Sequence, residues 1–413
     1  MISDRLLSIV RCADCRGELD VDTLVCGGCG RRYERRGDYL DMRPRRMFEE
    51  QTKYLDEALH ADARHDRVSP PLLGSRIRND MLRAFLAPRP GELVADLGCG
   101  SGRALLWNRD LGATMVGVDI APFFSQEARR DVDLMLGDLR TLPFADATFD
   151  KAWSLDVLEH LSPDALAGML AEAARVLKPG GSLFVYTHVR KNAPIAAGLR
   201  WINKLAARLD RLGLVDLRQE HLRKSDHLNP LRDIPHLEEV VDAAGFRIGR
   251  IRFYTPIVGG FVENILVRMA ERAMARRARA RELAKKPTAK GPTTKEPTTK
   301  GPTAKGPTAK GPTAKEPTAK GPIAKESTAK EPTAKEPTAK EPKVAETVAE
   351  TVEKASELDA AAIREARAAA KARIAKRGPT YLALRALSFV MKLDLLLFGR
   401  ITSGPFFALL VKK

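Results

Sequence analysis

Several things are scarce in this 413-residue chain, and each scarcity excludes something. Aromatic residues make up 6% of it, too few for the successive stacking platforms on which single-stranded nucleic acids lie. No run of eighteen apolar residues occurs, so the sequence offers no membrane-spanning helix. No secretory or targeting segment is read before the first motif, so the expected compartment is the cytoplasm, with peripheral contact at the inner membrane surface. Cysteine is limited to five residues. Without a secretory signal these read as a metal site and a buried filler rather than as a disulfide framework.

Positive charge is plentiful, at a formal net +17, and its distribution decides what it means. The segment 287–341 is eleven pentapeptides of the form P-T-A-K-G/E and holds eleven lysines against six glutamates. Two further basic clusters flank it, at Arg276, Arg277, Arg279 and Arg281 and at Arg364, Arg367, Lys371, Arg373, Lys376 and Arg377. The stretch 91–190 is not basic. An enzyme of nucleic acids more often gathers positive charge about its cleft, whereas here the excess is exiled from the part of the chain that carries the motifs.

The run Val94-Ala95-Asp96-Leu97-Gly98-Cys99-Gly100-Ser101-Gly102 reads as a buried strand ending in a glycine-rich turn that opens a helix. Alternate glycines let the backbone turn tightly and approach a ligand that side chains would block. In a doubly wound sheet such a turn holds a nucleotide-like cofactor at the carboxyl end of the first strand. A dinucleotide fingerprint needs glycine at position 103, where Arg103 stands. Met115–Asp119 follows as a second apolar strand ending in an acid, and Leu134–Asp138 as a third, with Leu139 and Leu142-Pro143-Phe144 behind it. Phe149–Ser154 reads as a fourth strand leading into Asp156-Val157-Leu158-Glu159-His160. A helix closing at Pro179-Gly180-Gly181 then feeds the strand Ser182–Thr187. Strands alternating with helices imply a parallel sheet covered on both faces.

The pattern D-x-G-x-G-x-G and the blocks after it, over about residues 75–190, resemble the class I S-adenosylmethionine-dependent methyltransferases, of the type 11 kind. The resemblance implies an α/β, doubly wound, seven-stranded Rossmann-like sheet. It assigns cofactor contacts to Asp96, Gly98, Gly100, Gly102, Asp119 (the ribose hydroxyls), Asp138 (the adenine amino group) and Leu139 (the ring). His160 and Asp156 lie just beyond the fourth strand, where an acceptor would face the methyl group. His160 is either a base, its ordinary pKa being close to neutrality, or part of a Glu-His pair that caps the next helix. Asp226-His227 is a second acceptor-side candidate; a plain polar loop is its alternative.

Cys12-x2-Cys15 and Cys26-x2-Cys29, ten residues apart, present four thiolates from two tight knuckles, which suits a tetrahedral structural Zn²⁺. From Leu6 through Asp38-Tyr39-Leu40 the segment resembles the small zinc ribbon found alone as a tRNA-methyltransferase activator and fused ahead of many bacterial methyltransferases. It is also similar to the ribbon of a large-subunit rRNA guanine methyltransferase, although that family uses a histidine ligand. Bracing and substrate recognition are both open to it.

The sequence thus divides into a ribbon (1–44), a helical linker (45–90), the methyltransferase core (91–256), a basic amphipathic helix (257–286), the repeat (287–341), a helical segment (342–404) and a last strand (405–413). The repeat lacks the apolar residues needed to fold and reads as a disordered spacer. Phe246–Pro256 alternates as a strand should, and its best partner is Pro405–Lys412, making everything between an insertion. Phe261, Val262, Ile265, Leu266 and Met269 mark one helical face opposite Glu263, Asn264, Arg268 and Arg272. A second apolar helix spans Tyr381–Phe398. Apolar faces beside arginine clusters suit peripheral contact with an anionic membrane, or alternatively a lid on the site. The leading expectation is methyl transfer to a small-molecule or lipid-like substrate. An RNA methyltransferase gripping its substrate through the ribbon, and a non-catalytic scaffold, are the alternatives.

Overall fold

The computed structural model describes residues 2–45, 68–190, 194–218, 227–285 and 378–413. The repeat, residues 342–377 with their basic cluster, and Asp226 lie outside the described residues. Ser3 caps α1 (Asp4–Ile9), its hydroxyl accepting from the Leu6 amide. A hairpin of β1 (Glu34–Arg36) and β2 (Tyr39–Asp41) follows. The α/β core then runs α2 (Gly74–Leu86), β3 (Leu93–Leu97), α3 (Arg103–Asn108), β4 (Thr114–Asp119), α4 (Gln126–Asp131), β5 (Asp133–Leu136), β6 (Phe149–Leu155), α5 (Pro163–Val176), β7 (Leu177–His188), α6 (Ala196–Arg211), α7 (Ile234–Ala243) and β8 (Phe246–Phe253). A long helix begins as α8 (Ile257–Phe261), passes through a π-helical turn over Val262–Val267 and continues as α9 (Arg268–Lys285). The chain ends in α10 (Pro379–Met391), α11 (Leu393–Phe398) and β9 (Pro405–Lys412).

One sheet carries the nine strands of the described residues, in the order β1-β2-β5-β4-β3-β6-β7-β9-β8. From β5 to β7 the pairing is parallel, and β9 runs antiparallel between β7 and β8. The seven strands from β5 to β8 are the expected doubly wound sheet. Strand alternation splits the apolar residues between two cores. Leu93, Ala95 and Leu97 face one core, built with Leu166, Met169 and Leu170 of α5 and Leu237 of α7. Val94 faces the other, built with Ile77, Leu82 and Phe85 of α2 and Leu105 of α3.

Three features depart from the pattern read in the sequence. The ribbon joins the core sheet, a union the sequence did not reveal. Its β2 pairs in parallel with β5, Leu40 opposite Met135, and its Leu6, Ile9, Val10 and Met42 enter the same core as Leu142 and Phe144. An open strand edge is a row of unpaired backbone groups, and the ribbon covers it. The expected helix over 381–398 is two helices, broken at Lys392, whose ammonium meets Asp80. The apolar face expected on 261–269 is divided: Val262 and Ile265 are buried, whereas Phe261, Leu266 and Met269 are exposed. The π turn changes the angular spacing of side chains, so the 3.6-residue projection fails there. Glu263 consequently turns inward and accepts from the Gly74 amide at 3.0 Å.

The margins of the sheet are both charged. Glu34, Arg35 and Arg36 of β1 are exposed, and β8 presents exposed Arg247 and Arg250 around a bulge.

Asp394 of α11 ties the two ends of the insertion together. Wholly buried, it accepts from the Val258 amide at 3.0 Å and the Gly259 amide at 2.7 Å, satisfying donors at the start of the long helix. Burial raises its pKa, and these amides oppose the rise. Replacing Asp394 with Ala leaves two helix-start donors without this acceptor, at a cost of about 1–3 kcal/mol. Urea unfolding of Asp394→Ala should show that loss, with Asp394→Asn falling between it and the wild type.

Candidate active site

The glycine turn starts where β3 ends. Gly98 and Cys99 both donate their amides to the Val118 carbonyl, at 2.9 and 3.1 Å, so the turn is pinned to the end of β4. Gly98 has φ +84, and a Cβ there would lie 2.4 Å from Val157 Cγ2. Conformation and space both require glycine. Gly100, at φ +54, differs: a Cβ built on it would meet nothing within 4 Å, so this backbone borders open space.

Three acids stand around the turn. Asp96 is 2% exposed, lies opposite Trp153 in the β3–β6 pairing, and among the described residues its Oδ2 has no hydrogen-bond partner. Burial, then the nearby Asp119 carboxylate, pushes its pKa up to about 8. Asp119, ending β4, accepts from Gly100 N at 2.7 Å and from Ala121 N at 3.0 Å. Asp138, just past β5, is gripped by Arg140 through Nε at 3.0 Å and Nη2 at 2.8 Å, with Leu139 half-buried between them.

The acceptor-side candidates gather where β6 and β7 end. Asp156 follows β6 directly, in the left-handed region at φ +56, and its carboxylate lies 3.3 Å from Arg78 Nε of α2. Such a conformation in a non-glycine residue marks strain held by its surroundings. The Arg78 guanidinium also sits 5.3 Å from the Tyr186 ring centre. Burial works against its charge, but Asp156, Tyr186 and Glu263 outweigh burial and hold it protonated. Beyond Asp156, Glu159 is buried and accepts from Thr187 Oγ1 at 2.8 Å. Burial first, then Asp156, raises its pKa to about 8. The His160 ring meets the His227 ring edge-on with centres 4.5 Å apart, and His188 lies 5.3 Å from His227. The structure therefore brings His160 and His227 together and ties Asp156 to Arg78.

The four N-terminal cysteines converge independently. Cys12 and Cys29 Sγ are 3.6 Å apart, Cys15 and Cys26 Sγ 3.4 Å, and none is in a disulfide. Their thiol sulfurs all lie within 4.8 Å of one another. Tyr33 supports the first knuckle, its hydroxyl accepting from Ala13 N at 2.8 Å and meeting Cys12 Sγ at 3.1 Å.

Sequence reasoning missed Arg78 and His188. Nothing in the spacing of α2 distinguishes Arg78 from Arg76 or Arg83. His188 was within reach, because it ends a strand at the carboxyl edge where ligands of such sheets bind.

Residues 95–185 match the family described as Methyltransferase domain. A 37.1 kDa protein of transposon Tn4556 from Streptomyces fradiae is 34% identical over 157 residues, covering 33% of this chain and 40% of that one. A demethylmenaquinone methyltransferase of Corynebacterium kroppenstedtii is 44% identical over 104 residues, covering 25% of this chain and 44% of the relative. A probable tRNA methyltransferase 9B of Mus musculus is 38% identical over 108 residues, covering 25% and 24%. The chain thus spans less than half the length of these curated relatives.

Asp96 gives the site a pH signature. Its folded pKa is raised above the unfolded 3.8, so the folded state keeps a proton that the unfolded state has released. Stability of the cofactor-free chain therefore falls as pH rises from about 4 toward 8, through this group by at most about 1.4 kcal/mol per pH unit. Thermal melts across that window should show a shallower decline for Asp96→Asn than for the wild type. Parallel curves would mean that Asp96 ionises as freely folded as unfolded.

Proposed function

We propose that this chain, whose residues 95–185 form a class I S-adenosylmethionine-dependent methyltransferase domain, transfers a methyl group to a small-molecule or lipid-like acceptor at a membrane surface. The residues at the glycine turn fit the cofactor. Asp96 offers a buried carboxyl oxygen without a partner, suited to a cationic ammonium. Gly100 leaves open space where a side chain would intrude. Asp119, at the end of β4 with its carboxylate on the Gly100 and Ala121 amides, stands beside the turn where it would accept ribose hydroxyls. Asp138 and Leu139 would serve the adenine edge and face, with Gly98 and Gly102 shaping the turn.

When bound, the cofactor supplies a methyl group on a positively charged sulfur, already activated for in-line displacement. What remains for the chain is to orient the acceptor, an effect worth up to about 7–11 kcal/mol. The Arg78–Asp156 pair fixes the wall where β6 ends. His160 stands beside it as the group that helps an acceptor hydroxyl lose its proton.

For the ribbon we assign a structural Zn²⁺ to Cys12, Cys15, Cys26 and Cys29. Thiolates at 2.3 Å around a tetrahedral ion lie about 3.8 Å apart, close to the 3.4 and 3.6 Å separations found here. The ribbon packs on Leu142 and Phe144, beside the Asp138 segment, and Arg16 meets Glu172 of α5 at 2.9 Å. This favours a brace for the cofactor domain over a grip on RNA.

The observation that carries the acceptor class is the outer surface of α10 and α11. Leu382, Phe389, Leu396 and Leu397 are 57–74% exposed, with exposed Arg385 and Arg400 in the same segment. Apolar side chains beside cations suit an anionic lipid surface. No helix of the described residues is long and apolar enough to cross a membrane. The relatives named for demethylmenaquinone and for tRNA divide on acceptor, and this surface favours the lipid-like choice.

Asp119→Ala should weaken S-adenosylmethionine binding by on the order of 10²-fold, through lost charge-assisted hydrogen bonds; calorimetry showing unchanged affinity would remove Asp119 from the ribose. Radiolabelled methyl groups transferred into a cell extract should appear in the organic phase. Phe389→Ser with Leu396→Ser should reduce co-sedimentation with anionic vesicles. Label confined to RNA would overturn the acceptor assignment.

A further inference from the structure

Glu159, His160 and His227 come from two stretches of chain nearly seventy residues apart, yet their ligand atoms all lie within 4.8 Å of one another. The meeting is built by backbone. Asn229 donates its amide to the Glu159 carbonyl at 2.9 Å, and Arg190, just past β7, donates to the Leu231 carbonyl at 2.9 Å. These two bonds lock the loop carrying His227 onto the turn carrying Glu159 and His160. Asn229 takes φ +49 to do so, and among the described residues its buried side-chain oxygen has no hydrogen-bond partner.

The chemistry of the cluster is one-sided. Among the described residues the buried Glu159 carboxylate takes one hydrogen bond, from Thr187, and no ion pair. A buried carboxyl with no charged partner keeps its proton, and a metal ion bound there would take that proton's place. Across from it stand two imidazoles, with a third, His188, against His227. Two imidazoles and one carboxylate are a donor set for Zn²⁺, Fe²⁺ or a similar ion, not for Mg²⁺ or Ca²⁺. Nitrogen and oxygen ligands at 2.0–2.1 Å around a tetrahedral ion lie about 3.4 Å apart, a spacing inside the 4.8 Å within which the three ligand atoms gather.

We propose that Glu159, His160 and His227 form a second metal site, distinct from the four cysteines, that binds a divalent transition-metal ion at the carboxyl ends of β6 and β7. Three protein ligands leave a coordination position open, as in catalytic rather than structural sites. A ligand oxygen in that position is polarised toward its deprotonated form. For an acceptor hydroxyl this is how His160 acts, through the ion it holds; that consequence alone rests on the methyl-transfer reading.

The test is metal content, which does not involve the cofactor. The full chain is stripped of metal, loaded with Co²⁺ or Zn²⁺ and freed of excess. Wild type should retain one more equivalent than either His227→Ala or Glu159→Gln, whatever the ribbon holds. Cobalt in the ribbon gives sulfur-to-metal charge-transfer bands, and the proposed site does not. Those bands should persist in both variants, showing that each is folded, and vanish in Cys26→Ser, which should keep the extra equivalent. Equal metal content in wild type and in folded His227→Ala would overturn the site. So would a wild type whose only bound cobalt is the thiolate-ligated kind.

Discussion

The final eight residues of the sheet, β9, hydrogen-bond on both sides, to β7 and to β8, and Phe406, Phe407, Ala408 and Leu410 are wholly buried. Burying a Phe or Leu side chain stabilises by about 1.5–3 kcal/mol each, so this strand makes a large contribution to the core. Its position also constrains everything before it. Between β8 and β9 the chain leaves the sheet and must return to the slot beside the strand it left. A long closure costs little more than a moderate one, since each doubling adds about 0.6 kcal/mol. What closure demands is that the exits be held, and Asp394 on the amides of Val258 and Gly259 holds them. Phe407 carries the constraint to the site: Tyr186 stacks on it at 4.7 Å and Tyr254 lies 5.8 Å away.

The two halves of the proposed site, one for cofactor and one for acceptor, are built by different physics. The cofactor half is made by strand ends. Asp96, Asp119 and Asp138 each sit at or just beside the last residue of a strand, and the turn between them is fixed by backbone bonds to Val118. The acceptor half is made by packing between distant segments. Arg78 arrives from the helix before β3, His188 from the end of β7, and His227 from a loop anchored by Arg190 just past β7. Among the described residues the ribbon meets the first of these halves through Leu142 and Phe144.

This division explains what the sequence made legible. The doubly wound fold was readable because its signals are local: apolar strand cores, a glycine turn whose Gly98 tolerates no side chain, and acids at strand ends. The cysteine cluster was readable for the same reason, its ligands being delivered by two short knuckles. Arg78, Glu263 and Asp394 were opaque, since each is one charge among many on an amphipathic helix until packing turns it inward. The π turn at Val262–Val267 hid Glu263 further, because a regular helical projection placed it on the wet side. The union of ribbon and sheet was opaque for another reason: three-residue strands such as β2 carry no periodicity to read.

Adding the ribbon to the sheet moves its open margin from β5 to β1. That margin is now three residues long and wholly charged, Glu34-Arg35-Arg36. The opposite margin, β8, is interrupted by a bulge and carries Arg247 and Arg250 outward. Short, bulged and charged edges are poor templates for the strand of another molecule. A sheet of nine strands rich in Val, Leu and Phe is thereby kept from growing sideways into aggregates. The N-terminal segment that gathers four cysteines at one end supplies, at its other end, the strand that closes this edge.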